Sequence, residues 1–296
     1  MSTMQNKIDF AVIVKVKNAN PNGDPLNGNR PRTDYENLGE ITDVCIKRKI
    51  RDRLLENGHA IFVQSADRNF DEEPSLRARA ESEKNGLGKD AFKKGANKAD
   101  TIRAACKKWF DVRAFGQVFA WKDKESKKPK KGSEVATAEE DESNQASIPV
   151  RGPVTVQSAF SVEPINITST QITKSVSTED LGGKRGSDTM GMKHRVDRGV
   201  YVFFGSMNPQ LAERTGFSDA DAEAIKQVLP RLVENDESSA RPAGSMEVLK
   251  VIWWKHNSKA GQYPPAKVHR TLTVKPDGTF ELAKLDSLEP EIIDGF

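Results

Sequence analysis

Four segments rich in β-branched and aromatic residues constrain the fold of this chain most strongly. Segments of this composition are typical of β-strands. The first of them, IDFAVIVKV, is apolar along almost its whole length, which favours a strand in the centre of a sheet. The predicted strands are Ile8–Val16, Pro153–Val162, Gly199–Phe204 and Met246–Trp254.

Two helices are predicted between these strands. The first spans Ile41–Asn57, and Gly58 follows it at the position where glycine often ends a helix. The second spans Ser218–Asn235, opens with the capping-box pattern Ser218-x-x-Asp221, and contains Pro230, which we expect to kink it. A further helix is expected to end at Ala104–Trp109, followed by a strand at Asp111–Trp121.

The order strand, helix, strand, strand, helix, strand is the βαββαβ order of the ferredoxin-like fold, which RNA-recognition domains share. The sequence therefore predicts an α+β protein, a single RRM-like domain over residues 1–296 with two long insertions. The first insertion covers 59–147 and includes a charged stretch, 122–147, that we expect to be disordered. The second covers 163–198, and compact domains rarely keep such excursions without a use for them.

Composition excludes several classes of protein. The 296 residues are 30% charged, but the net charge is only +3, so a polyanion-binding surface must concentrate its basic residues locally. The sequence has no apolar run long enough to span a bilayer, and its polar first residues lead us to expect no signal peptide. The two cysteines, Cys45 and Cys106, have no metal-ligand spacing. We expect a cytoplasmic protein without a bound metal or cofactor.

The loop Asn18–Asp34, which follows the first strand, is unusually rich in asparagine, glycine, proline and arginine. Its Gly23-x-x-x-x-Gly28 spacing resembles a phosphate-binding loop, but the Lys-Ser/Thr pair of such loops is missing. What remains is a backbone suited to close approach, with Arg30 and Arg32 beside it. The alternative is an exposed connector whose arginines are only solvated.

The first predicted helix concentrates basic residues. Its apolar positions form two stripes, so we expect the helix to be packed on two sides: Ile41, Val44, Cys45 and Leu55 on one, and Ile46, Ile50 and Leu54 on the other. The cations fall in the narrow seams between them: Lys47 and Arg51 on one seam, Lys49 and Arg53 on another. We interpret the seams as clamps for phosphate groups. For Arg48 the alternative is an internal ion pair with Asp52, four residues further on.

The second insertion predicts a projecting β-ribbon with Gly182-Gly183 near its tip. Met190 and Met192 are candidates for exposed apolar contacts, although local packing is the alternative for both. Basic residues flank the two arms of the ribbon: Lys174, Lys184, Arg185, Lys193 and Arg195.

The sequence offers little support for catalysis. The histidines stand singly, without metal-ligand spacing, at His59, His194, His256 and His269. Asp24 and Asp34 lie in the loop after the first strand, where an aspartate can bind a metal ion or act as a base. No second carboxylate visibly completes either role, and aspartate is also a common turn residue.

Five stretches between Ile8 and Trp254, taken in order, resemble one known family. They are NPNGDP, IKRKIRD, DVRAFG, GPVTVQSAFSVEP and TMGMKHRVDRGVYVFFG. Together they are similar to the Cas-seven family of CRISPR-associated proteins, specifically the backbone subunit of type I-C Cascade complexes.

The resemblance implies a hand-shaped protein with an RRM-like palm, fingers from residues 59–147 and a thumb from 163–198. Copies of such a subunit stack head to tail along a guide RNA (crRNA), which then pairs with target DNA. The other partners implied are the Cas-five, Cas-eight and small subunits of Cascade. The predicted RNA-contact residues are Asn22, Arg30, Arg32, Lys47, Arg48, Arg51, Arg113, Gln157, Lys174, Met190, Met192, Lys193 and Arg195.

The family resemblance implies a scaffold and not a nuclease. Related type III backbone subunits, however, cleave RNA with an aspartate in the loop after the first strand. A metal-dependent endoribonuclease that uses Asp24 or Asp34 is therefore the alternative function.

Overall fold

A computed structural model of the chain describes residues 2–93, 95–120, 147–173 and 190–296. Its strands are β1 Ile8–Ala19, β2 Gly23–Asp24, β3 Arg30–Thr33, β4 Leu38–Ile41, β5 Gly116–Phe119, β6 Ile148–Arg151, β7 Val154–Val156, β8 Ala159–Pro164, β9 Ile167–Thr173, β10 Met190–Met207, β11 Met246–Lys255, β12 Leu272–Val274, β13 Phe280–Leu282 and β14 Glu291–Asp294. Its α-helices are α1 Asp43–Glu56, α2 Leu76–Glu81, α3 Lys98–Lys108, α4 Phe110–Phe115, α5 Pro209–Thr215, α6 Asp219–Val228 and α7 Pro265–His269.

A large antiparallel sheet dominates the fold, so the mixed α and β architecture is as predicted. Its strand order is β14-β11-β1-β10-β8-β4-β3-β2, and β7 and β9 pair separately with β10. The first predicted strand is central, because β1 pairs with β10 on one side and with β11 on the other. Val14, for example, lies opposite Tyr201 and Val248 in the two neighbouring strands.

Two of the predicted strands differ from the observed ones. The predicted Gly199–Phe204 strand is part of the much longer β10, which runs without a break from the second insertion into the sheet. The predicted Pro153–Val162 strand is divided into β7 and β8. The break falls at Gln157 and Ser158, where the Ser158 hydroxyl accepts a hydrogen bond from the backbone N–H of Asp43 at the start of α1.

The two faces of the sheet are covered by different elements. Phe10, Val12 and Val14 of β1 point to one face and are buried under α1 and α6. Ala11 and Ile13 point to the other face, which α7 and the C-terminal strands β12 and β13 cover. The sheet is therefore the middle layer, with α1 and α6 on one side and α7 on the other.

Helix α1 is capped by Thr42, whose hydroxyl accepts a hydrogen bond from the N–H of Cys45 at 3.3 Å. One predicted apolar stripe of the helix is buried, at Ile46, Ile50 and Leu54. The opposite stripe is only partly covered, and the prediction was wrong for Val44, which is 71% exposed.

Helix α6 begins with the predicted capping box, in which Ser218 and Asp221 bond reciprocally. The predicted kink at Pro230 is instead the end of the helix. The α-helix stops at Val228 and a 3-10 turn, Leu229–Arg231, follows. Proline has no N–H to bond the preceding turn, so the α-helical ladder ends before it.

The predicted strand Asp111–Trp121 was wrong for its first half, which is helix α4. Asp111 is buried, and its carboxylate accepts hydrogen bonds from the N–H groups of Phe62 and Val63, so the side chain fixes the chain in a helical turn. Gly116, with φ +83°, ends the helix and starts β5. Trp121 and the charged residues that follow it, through Ala146, lie outside the described residues.

The first insertion has a small apolar core of its own within its described residues. Phe62, Trp109 and Phe119 pack with ring centroids 4.7–6.3 Å apart. None of the helices within the described ranges is long and apolar enough to cross a membrane.

Candidate nucleic-acid interface

The loop after β1 is held in shape by its own polar side chains. The Asp24 carboxylate accepts hydrogen bonds from the N–H of Leu26 and from the Arg32 guanidinium, both at 3.2 Å. The Asn22 side-chain oxygen accepts hydrogen bonds from the N–H of Thr42 at 3.0 Å and from its hydroxyl at 2.9 Å. Asn22 and Arg32, both predicted RNA contacts, therefore also organise the loop and the start of α1.

The second aspartate of the loop, Asp34, shapes a turn. Its carboxylate accepts hydrogen bonds from the N–H groups of Glu36 and Leu38, both at 2.9 Å. Among the residues that the structure describes, no group of three or more His, Cys, Asp or Glu side chains is arranged to hold a metal ion.

Two histidines, His256 and His269, lie beside Asp9 and away from the loop. His256 is 1% exposed, and its Nε2 lies 2.9 Å from a carboxylate oxygen of Asp9, which also pairs with Lys7 at 3.0 Å. Burial by itself raises the pKa of Asp9, but the hydrogen bonds from His256 and Ser206 and the pair with Lys7 hold it below its ordinary value. This cluster ties the C-terminal segment to β1.

The cations of helix α1 each have a carboxylate partner in the same chain. Lys47 pairs with Asp43 at 2.9 Å, one turn earlier. Arg48 pairs with Asp52 at 3.3 Å, which is the alternative that the sequence offered to phosphate binding, and also donates to the carbonyl oxygen of Val63 at 2.6 Å. The remaining pairs of this helix are Lys49 with Asp236, Arg51 with Asp111, and Arg53 with Glu56.

The carboxylate of Asp111 links α1 to the first insertion. The Arg51 Nε donates to its carboxylate at 2.9 Å, in addition to the two backbone N–H groups that donate to the same carboxylate. The Asp111 side chain is 1% exposed and the Arg51 side chain 12%. An arginine so enclosed holds the fold together, and it would have to leave this pair to reach a phosphate group.

Arg113 has a comparable position at the start of α6. It donates two hydrogen bonds to Asp221, at 2.6 and 3.1 Å, and its guanidinium stacks over the ring of Phe110. Burial raises the pKa of Asp221, but the hydrogen bonds from Arg113 and Ser218 outweigh it and hold the pKa below its ordinary value. As RNA ligands, Lys47, Arg48, Arg51 and Arg113 stay predictions, and their observed contacts favour a structural role.

A two-stranded ribbon leaves the sheet where β9 pairs with the first part of β10. The pairing runs from Ile167 opposite Val196 to Thr173 opposite Met190. Met190 and Met192 are 67% and 54% exposed, so neither is buried by local packing in this structure. Lys174, Gly182, Gly183, Lys184 and Arg185 lie outside the described residues.

Side chains along each strand of the ribbon alternate between its two faces, and residues opposite each other in register share a face. The two faces of this ribbon differ chemically. The methionine face carries Met190, Met192 and His194, and the basic face carries Lys193 and Arg195. Lys193 is exposed, whereas Arg195 is partly covered and lies 4.0 Å from the Asp197 carboxylate.

The basic face continues onto the sheet. Val196 and Ala19 are opposite each other and buried toward the helices, so Arg195 points to the other side of the sheet. On that side, Lys17 of β1 lies opposite Arg198 of β10. Both are exposed, and neither has a carboxylate partner within the described part of the chain.

A groove of about 850 Å³ lies at this junction of ribbon and sheet. It is lined by the three cations Lys15, Lys17 and Arg198, by polar Asn18 and Asn166, and by acidic residues that include Asp197 and Asp277. Lys17 and Arg198 were not predicted from the sequence. The alternation of side chains along β1 puts Lys15 and Lys17 on one face, and this pattern could have indicated Lys17. The position of Arg198 opposite Lys17 depends on strand register, which the sequence does not show.

The loop after β1 also reaches the ribbon. The Arg30 Nη1 donates to the hydroxyl of Ser169 at 3.3 Å, on the methionine face. Gln157, another predicted contact, is exposed between β7 and β8, while its backbone N–H donates to the carbonyl oxygen of Phe204. The structure thus brings Arg30 to the ribbon and places Lys193 and Arg195 in line with Lys17 and Arg198.

Comparison with known proteins identifies the family. The family model described as CRISPR-associated protein Cas7 matches residues 6–291. The chain belongs to the CRISPR-associated Cas7 family. This is the Cas-seven family that the sequence motifs indicate. A Cas7 protein of Haloferax volcanii is 26% identical over 302 residues, which cover 99% of this chain and 82% of that protein.

Solved structures that resemble the chain include two chains of CRISPR RNA-guided surveillance complexes. One is 16% identical with a TM-score of 0.42, covering 84% of this chain and 68% of its own. The other, from a pre-nicking complex, is 15% identical with a TM-score of 0.44, covering 84% and 78%. A chain of a type III-B Cmr-beta complex bound to cognate target RNA is 11% identical, with a TM-score of 0.42 and coverage of 84% and 61%.

Proposed function

We propose that this Cas7-family chain is a crRNA-binding backbone subunit of a CRISPR effector complex, and that the complex is a type I-C Cascade. The observation that carries the proposal is the alignment of Lys193 and Arg195 of the ribbon with Lys17 and Arg198 of the sheet on one face. Membership of the Cas7 family supports it.

A guide RNA must be held whatever its sequence, so its subunits should contact phosphates and sugars and leave base edges free for pairing. Exposed lysine and arginine side chains fixed on paired strands suit this task, because their spacing is set by the sheet. The net charge of +3 is no obstacle, since many copies along one RNA act together.

We further propose that the sheet and its helices form a ferredoxin-like palm and that the ribbon is a thumb. The central order β11-β1-β10-β8, with α1 and α6 on one face, supports the palm. The exposed Met190 and Met192 support a thumb that reaches RNA held by the next copy in a head-to-tail filament. Target DNA and the Cas-five, Cas-eight and small subunits are the other partners of this proposal.

We assign phosphate binding to Arg30, Lys193, Arg195, Lys17 and Arg198. The remaining predicted contacts on α1 and α4 have internal partners that account for them. Removing the enclosed pairs of Arg51 and Arg113 is expected to destabilise the fold before it changes RNA affinity, whereas loss of the more exposed Lys47 pair should change neither much.

The first experiment asks whether RNA is bound at all. The purified protein should show a high ratio of absorbance at 260 nm to that at 280 nm, and ribonuclease treatment should lower it. Protein that carries no nucleic acid and does not bind added single-stranded RNA at low salt would overturn the proposal.

A second experiment isolates the ribbon. Ser169 lies opposite His194, so residues 170–193 can be replaced by a short Gly-Ser turn without cutting the buried residues Ile165 and Val196. The palm should fold and bind RNA weakly, and long filaments on RNA should no longer form. Normal filaments in electron micrographs of this variant would refute the thumb.

We propose a scaffold and not an enzyme, and the rival is a metal-dependent endoribonuclease that uses Asp24 or Asp34. Asp24 is engaged by Arg32 and Asp34 by two backbone N–H groups, which favours a structural role for both. The test is incubation of the protein with single-stranded RNA and Mg²⁺ or Mn²⁺. RNA cleavage that Asp24→Ala or Asp34→Ala abolishes, and that a mock purification lacks, would establish the rival.

A further inference from the structure

Three side chains from three strands meet on the methionine face of the ribbon. Arg30 of β3 donates to the Ser169 hydroxyl of β9 at 3.3 Å, and the Ser169 hydroxyl lies 2.8 Å from Nδ1 of His194 on β10. Both contacts lie at the surface, so solvent and a ligand have access to them. This cluster is on the opposite face of the ribbon from Lys193 and Arg195.

A guanidinium only donates, so the Ser169 oxygen accepts from Arg30. The hydroxyl then still has its own proton, which it can donate to Nδ1 of a neutral His194. A neutral His194 in this arrangement carries its proton on Nε2. The serine hydroxyl therefore lies between a permanent cation and the imidazole of His194.

The charges around His194 determine what a second proton does. Arg30 faces it from β3, and Lys193 and Arg195 of its own strand project to the other face. The nearby carboxylate of Asp197 is engaged by Arg195 and by the Thr168 hydroxyl at 2.7 Å. Protonated His194 would thus face Arg30 across one hydroxyl, and an anion placed between the two cations would offset their repulsion.

We propose that Arg30 and protonated His194 form a two-donor site for a phosphodiester group, with Ser169 positioning both side chains. The inference rests on the proposed RNA binding. It adds that a phosphodiester group of the RNA binds between Arg30 and His194, and that His194 takes up a proton as it binds. A phosphate group at this site accepts from the Arg30 guanidinium and from Nδ1–H of His194, and the Ser169 hydroxyl is released as a third donor. RNA binding is then accompanied by proton uptake.

The test is the pH dependence of RNA binding at constant ionic strength. A mixed-sequence single-stranded RNA should bind the wild-type protein about three- to tenfold more tightly at pH 6 than at pH 8, which lie on either side of the range where histidine ordinarily titrates. Calorimetry in two buffers of different ionisation enthalpy should show proton uptake on binding at pH 7. His194→Gln, which keeps polar groups but cannot take up a charge, should bind equally at both pH values.

Thr170→Ala is the matched control, because Thr170 lies one residue from Ser169 but on the basic face, opposite Lys193. It should keep the full pH dependence. Equal pH dependence and equal proton uptake in wild type and His194→Gln would overturn the inference and leave the proposed function intact. A wild-type protein that binds no RNA at either pH would contradict the proposed function itself. The wild-type calorimetry remains decisive even if the His194 variant unfolds.

Discussion

Helix α1 and the junction of the ribbon with the sheet both carry lysine and arginine side chains, but these are paired on α1 and exposed at the junction. Each of the cations on α1 pairs with a carboxylate of the chain, and Arg51 and Lys49 are almost enclosed. Lys17, Lys193 and Arg198 are exposed, with no carboxylate partner among the residues that the structure describes. A basic cluster in a sequence therefore indicates nothing about phosphate binding until the partners of its members are known.

The difference has a physical consequence for mutation. When one partner of a buried ion pair is removed, the other charge stays desolvated and the folded state is destabilised. When an exposed cation is removed, the folded state changes little, and only the attraction for an external anion disappears. Stability and salt-dependent RNA affinity are thus expected to separate the two regions.

The largest effect on stability is expected for Asp111→Ala. The change removes the acceptor of two backbone N–H groups and leaves Arg51 unpaired in a nearly buried site. The free energy of unfolding should fall by about 3–5 kcal/mol in denaturant titrations. The control is Asp100→Ala, whose exposed pair with Arg103 should contribute less than about 1 kcal/mol. A variant of Asp111 as stable as the control would show that α1 is not held by this pair.

A smaller and pH-dependent effect is expected for Arg113→Gln. At pH 7 the variant should lose about 2 kcal/mol, the scale of hydrogen bonds between charged groups. Because the folded pKa of Asp221 lies below its ordinary value, its ionised form stabilises the fold above the ordinary aspartate pKa of about 3.9. That contribution is lost as the pH falls through the lower, folded pKa. The difference between wild type and variant should therefore shrink in acid, and a difference that is constant with pH would exclude the pair as its source.

The smallest effect on stability is expected for Lys47→Ala. Its pair with Asp43 is one helical turn away, and the two side chains are 26% and 38% exposed. Pairs of this kind contribute about 0.3–0.5 kcal/mol, so the melting temperature should hardly move. A loss of stability comparable with that of the Asp111 variant would remove the contrast between enclosed and exposed pairs on this helix.

Much of the fold could be predicted from the sequence because it depends on local patterns. The apolar run of β1, the capping box at Ser218 and the helix over residues 43–56 are encoded within a few residues of each other. The helix α4 could not be foreseen, because Asp111 takes its partners from Phe62 and Val63, some 50 residues earlier in the chain.

The candidate site was harder to predict for the same reason. Three ion pairs of α1 follow from helical spacing: Lys47 with Asp43, Arg48 with Asp52 and Arg53 with Glu56. The partners of Arg51 and Lys49, in contrast, lie far along the chain. Lys17 and Arg198 are brought together by the register of β1 with β10, and that register includes a left-handed residue, Asn18 at φ +56°. Long-range pairing and a local change of strand alternation are not visible in a single sequence.

The most direct test of the account measures how RNA affinity depends on salt. The triple variant Lys17→Ala, Lys193→Ala, Arg198→Ala is compared with Lys47→Ala, which removes a cation that the sequence predicts to bind RNA but leaves the fold stable. Removal of one phosphate-binding cation should lower the magnitude of the slope of log K against log salt by about 0.7, so the slope should fall by about 2 in the triple variant and stay unchanged in Lys47→Ala. A slope that is unchanged in the triple variant and reduced in Lys47→Ala would contradict the account and return RNA binding to the helix.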